Sequence, residues 1–175
     1  MMERSQSLRK TASVSTTPIS PSDSTRKKII EATEGLPSEC FNYLYNKVLP
    51  ANEENALLIC DYISSLRSEI NPSDNYRKDT TILLCKFSLF FKNANLKELT
   101  REDILSFLDS FRKIESVDPL HKWIGTYNLY RMYLMRFFKW LYSPHIECKQ
   151  RPKPSVIDNI HKLKRKEKSI YKPTD

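Results

Sequence analysis

The chain has 175 residues, 39% of them hydrophobic, only two glycines and a formal net charge of +8. That length suits one domain of ordinary size plus tails, and so little glycine argues against a hairpin-rich β fold and against the glycine loops that cradle nucleotide phosphates. No apolar run approaches the ~18 residues that span a bilayer, and MMERSQSLRKTASVSTTP lacks the apolar stretch of a secretory signal.

In chain order, residues 1–35 are rich in Ser, Thr and Pro and read as a disordered tail, although STRKKIIEATEGL permits a short helix from Arg26. In residues 37–50, Pro37 and Ser38 suit a helix start, Phe41, Leu44 and Val48 share a face, and Pro50 ends the element. Residues 53–70 place Ile59, Ile63, Leu66 and Ile70 at helical spacing before NPSD breaks the pattern. Residues 73–92 start on Ser73 or Asp74 and carry Tyr76, Leu83, Leu84, Phe87 and Phe91. At residues 100–115, Thr100 is an N-cap to which Asp103 reaches back, Leu99 and Ile104 occupy the staple positions, and Ile104, Phe107, Leu108 and Phe111 form the buried stripe. Residues 120–142 repeat Tyr130, Leu134, Phe137 and Leu141, and Pro144 closes them. The prediction is an all-α fold: a small four- to five-helix bundle over residues 36–145, with a disordered N-terminal tail and a basic linker over 146–175.

Four cysteines, Cys40, Cys60, Cys85 and Cys148, form no C-x-x-C and have no paired histidines, so neither a zinc site nor a cofactor is expected. Cys60 and Cys85 lie in apolar periodic segments and read as buried, reduced thiols, which suits a cytoplasmic protein.

Charge sorts by predicted helix. Residues 53–70 carry net −3 and 97–118 net −2, whereas 73–92 carry +2, 120–142 carry +4 with no acid at all, and 144–175 carry +5. A bundle with its two basic helices on one side attracts phosphate there and repels it elsewhere. Short polar groups accompany the bases at both basic helix starts: Asn75, Arg77, Lys78 and Thr80 in the first, and Lys122, Thr126, Asn128 and Arg131 in the second, with Lys139 further along. Arg and Asn suit base edges, and Lys and Thr suit phosphates. The tail adds Lys162, Lys164, Arg165 and Lys166.

Three stretches in order resemble the core-binding domain of tyrosine recombinases, the phage-integrase family. NYRKDTTILLCKF resembles its second helix, LTREDILSFL the start of its third, and YRMYLMRFFKWLY its last, over roughly residues 53–143. KLKRKEKSIYKPTD looks like the linker that leads into the catalytic domain of archaeal integrases. The resemblance implies a SAM-like helical bundle that clamps duplex DNA during DNA integration and recombination, with its second and fourth helices towards the duplex. It places Arg77 and Lys78 in the family's basic pair and gives Tyr76 a packing role.

Family catalysis needs a nucleophilic tyrosine and a His-x-x-Arg element. Here His121, His145 and His161 are followed three residues later by Ile124, Cys148 and Lys164. The expectation is therefore a non-enzymatic, nucleoid-associated module. Its partners would be double-stranded DNA and other recombinase protomers, with no membrane and no small-molecule ligand. The alternative is a helical protein-interaction module whose basic face binds an acidic partner.

Overall fold

Local capping sets most helix starts. In the computed structural model, which describes residues 22–92 and 94–164, Ser22, Asn52, Ser73 and Thr100 each accept a backbone N–H three residues on, through the side-chain oxygen. These caps open α1 (Asp23–Ala32), α4 (Glu53–Glu69), α5 (Asp74–Phe90) and α6 (Arg101–Asp109). At Thr100 the capping box is complete, because Asp103 accepts the Thr100 backbone N–H at 2.8 Å. Between α1 and α4 lie α2 (Ser38–Tyr43), a π-helical turn (Leu44–Val48) and α3 (Leu49–Ala51). Pro50 therefore does not stop the helix. The Leu49 N–H reaches back to Leu44, and this widened turn accommodates a proline that has no N–H and crowds the preceding turn.

The last long helix, α7 (Trp123–Tyr142), starts differently. Its first residue donates its backbone N–H to Asp118 Oδ2 at 2.9 Å, across a loop in which His121 takes φ 47°. That contact holds the Asp118 carboxyl below its usual range. The expected helix over 100–115 ends early, at Asp109. Phe111 folds back onto Phe107 and Tyr130, with ring centroids 5.3 and 4.9 Å apart, while Ile114 and Val117 find no apolar surface and stay exposed.

No strand occurs among the described residues, so the fold is all-α. α4 packs against α1, α5 and α7, and α7 also packs against α5 and α6. Tyr62, Phe87, Phe137 and Phe138 are fully buried at the centre. Asn55, also fully buried, joins three elements. Its amide donates to Ser88 Oγ and the Ala94 carbonyl, and its Oδ1 accepts the Leu96 N–H, so the polar group is satisfied inside the core. Cys40, Cys60 and Cys85 are buried free thiols, and Cys148 is exposed.

Two expected boundaries move. α1 falls within the expected disordered tail over 1–35, yet Ile29 and Ala32 are buried, Thr25 donates to Glu53 at 2.9 Å and Lys28 pairs with Asp61 at 2.7 Å. Its apolar stripe is too short to show a period. Residues 151–163 fall within the expected linker, yet they form a strap against α6 and α7. Val156, Ile157 and Ile160 are buried around the 3-10 turn Ser155–Ile157. Arg151, only 7% exposed, bonds to the Ser143 and Pro144 carbonyls and to Glu69 at 2.6 Å. Arg101 holds the carbonyls of Asp158 and Asn159.

Candidate nucleic-acid interface

The four residues nominated at the start of α7 divide between two tasks. Asn128 acts as a two-way clamp. Its Nδ2 donates to the Leu163 carbonyl and its Oδ1 accepts the Leu163 N–H, both at 2.9 Å. Arg131, one turn on, donates through Nε to the Ile160 carbonyl at 2.6 Å. The strap thus takes both ends of the Asn128 amide and the Nε of Arg131, a holding role that their nomination as DNA contacts did not include. Lys122 is exposed, and Thr126, half-buried, lies one turn after it.

The clamp has an electrostatic result. Lys162 and Lys164 flank Leu163, and both are exposed. Fixing the Leu163 backbone to α7 therefore fixes two lysines alongside the acid-free helix. Neither they nor Lys122 and Lys139 make an ion pair among the described residues, which leaves their charge uncompensated. Arg165 and Lys166 lie outside the described residues.

The nominations on α5 fare differently. Arg77 is 5% exposed. Its guanidinium donates to the Ala32 and Glu34 carbonyls at 3.2 Å and to Asp74 at 3.1 Å. It thereby satisfies the end of α1 at the turn where Gly35 takes φ 76°. Thr80 has no exposed surface, and its hydroxyl has no partner in the core. Neither residue reaches a duplex, and both nominations are corrected. Lys78 is half-buried, 3.5 Å from Asp79. The expected single face built from both helix starts is thus not assembled: Arg77 turns towards the end of α1, and Asn128 and Arg131 turn towards the strap.

The contact that does join α5 to α7 runs through Tyr76. Its ring meets Tyr133 edge-on at 5.0 Å. Arg136 covers the same ring, with Nη1 2.7 Å from the Tyr76 hydroxyl and the guanidinium carbon 5.4 Å from the ring centroid. The packing role expected for Tyr76 agrees with this position. Arg136 is exposed and beside Tyr133; in the sequence it adds to the helix charge but carries no mark of this contact.

No described helix is long and apolar enough to cross a membrane. Comparison of the chain with protein-family models, with curated proteins and with solved structures finds no match.

Proposed function

We propose that the chain is a duplex-DNA-binding module of the tyrosine-recombinase type, a SAM-like core-binding bundle that acts in DNA integration and recombination without catalysis of its own. Its place in the cell is then the cytoplasmic nucleoid, beside other recombinase protomers on DNA. The observation that carries the reading is the acid-free α7, against which the Asn128 clamp fixes the exposed strap lysines Lys162 and Lys164, with Lys122 at the helix cap and Lys139 further along. The ordered resemblance of three sequence stretches supplies the ligand. Asn128 and Arg131 act indirectly in this reading, by fixing the lysines.

A surface of this kind neutralises about four to seven phosphates, so log K falls against log salt with a slope of roughly −4 to −6. Joint reversal of Lys122, Lys162 and Lys164 to Glu, all exposed side chains, flattens the slope by roughly 2 to 3. Salt-titrated binding to a short duplex measures this, and circular dichroism confirms the fold. An unchanged slope rejects the surface. Heparin binding as tight as duplex binding favours the acidic-protein alternative. A covalent DNA adduct trapped on any tyrosine overturns the non-enzymatic part.

A further inference from the structure

The loop between α6 and α7 displays its apolar side chains: Ile114 is 70% exposed, Val117 66% and Leu120 63%. It borders an open groove of about 580 Å³, whose lining includes Phe111, Trp123 and Tyr130. Large aliphatic side chains left in water forgo about 25 cal/mol per Å² of apolar surface, a gain that a partner covering them would realise. Such a cluster beside a concave surface marks a contact site.

Charge narrows the choice of occupant. Lys113 and Lys122 line the groove and make no ion pair among the described residues. The lining's acid, Asp118, is engaged by the Trp123 backbone N–H. Glu115 belongs to the same loop but does not line the groove. Arg112, paired with Asp109 at 2.7 Å, lies over the Trp123 ring, 5.2 Å from its centroid. Asp118 keeps its charge while accepting the Trp123 N–H, so the lining sets two lysines against one carboxylate and keeps a small positive excess around an apolar wall.

The aromatic rings are already engaged. Trp123 is covered by Arg112, and Tyr130 meets Phe111. A nucleobase needs an open aromatic face to stack upon, whereas the free apolar surface here is aliphatic. We propose that this groove is a docking site for a short acidic segment of another protein, which inserts an aliphatic or aromatic side chain between Leu120 and Trp123 and sets its carboxylates against Lys113 and Lys122. The site is separate from the strap surface and shares only Lys122 with it.

The test pans a displayed random-peptide library against the full chain. Enriched peptides combine Asp or Glu with Leu, Ile, Phe or Trp. One of them, made synthetically, shifts the Trp123 fluorescence of a Trp140→Phe variant. Leu120→Glu and Lys113→Glu, both at exposed, groove-lining positions, weaken the peptide roughly tenfold or more. Leu120→Asn, which adds no charge near Lys122, leaves duplex-DNA affinity unchanged, so this inference and the DNA reading fail separately. No enrichment, enrichment of peptides without acids, or binding insensitive to Leu120→Glu overturns the proposal. A single-stranded oligonucleotide that displaces the peptide and is itself weakened by Leu120→Asn would reassign the groove to nucleic acid.

Discussion

Thr80 and Arg77 stand one turn apart at the start of α5, and both face the protein interior. The Thr80 hydroxyl lacks a partner there, so it keeps a desolvation cost without the bond that would offset it. Thr80→Val keeps the shape and removes that group. It should leave stability unchanged or raise it by up to about 1 kcal/mol, with DNA affinity unaltered. Chemical denaturation reads the first and duplex titration the second; a loss of stability would reveal a partner for the hydroxyl. The sequence places Arg, Lys and Thr correctly at a helix start but not on their flanks. Which flank faces inward depends on α1, because Arg77 binds the carbonyls of Ala32 and Glu34. Those carbonyls lie in a stretch that reads as tail, so the burial of Arg77 has no local signal.

Elements with local causes are legible in the sequence, and elements with distant causes are not. Ser73 and Thr100 announce α5 and α6 because a cap needs only the next three residues. The strap has no such signature. Pro152 and Pro154 interrupt it, its apolar residues follow no helical period, and its bases suggest a solvated linker. Its partners include Arg101, Asn128, Arg131 and Glu69, the last 82 residues from Arg151. Arg151→Ala should expose how much this anchoring contributes. It leaves Glu69 with Ser65 alone and two carbonyls without this donor, costing roughly 2–3 kcal/mol. The cost stays below that of a fully buried pair because the Glu69 side chain is 29% exposed. The denaturation midpoint should fall, and the amides of Ile157 and Leu163 should exchange faster. Protection of both amides unchanged from the parent would show that the strap holds without its arginine.

The core encloses the thiols of Cys40, Cys60 and Cys85 and buried phenols such as Tyr62, and this sets the response to alkali. Burial pushes the Cys60 thiol up to about 12 from the ordinary 9.0, and raises Cys85 and Tyr62 as well. The unfolded chain releases these protons first, so above pH 9 the folded state binds more protons and stability falls as pH rises. Below that value these groups add no pH dependence. Denaturation at increasing pH checks this, and Cys60→Ala should flatten the decline. The strap carries a different consequence, one of time. Its contacts close loops of 29 and 35 residues onto α7 and of 57 and 82 residues onto α6 and α4. Closures this long form late on the folding route. Docking of the strap then follows the rate-limiting barrier. Ile157→Val should speed unfolding and leave the refolding rate almost unchanged, the mark of an interaction absent from the transition state. A chevron plot in which the refolding arm slows instead would make the strap part of the nucleus. If the barrier is crossed first, the strap governs how long the folded molecule lasts rather than how quickly it arises.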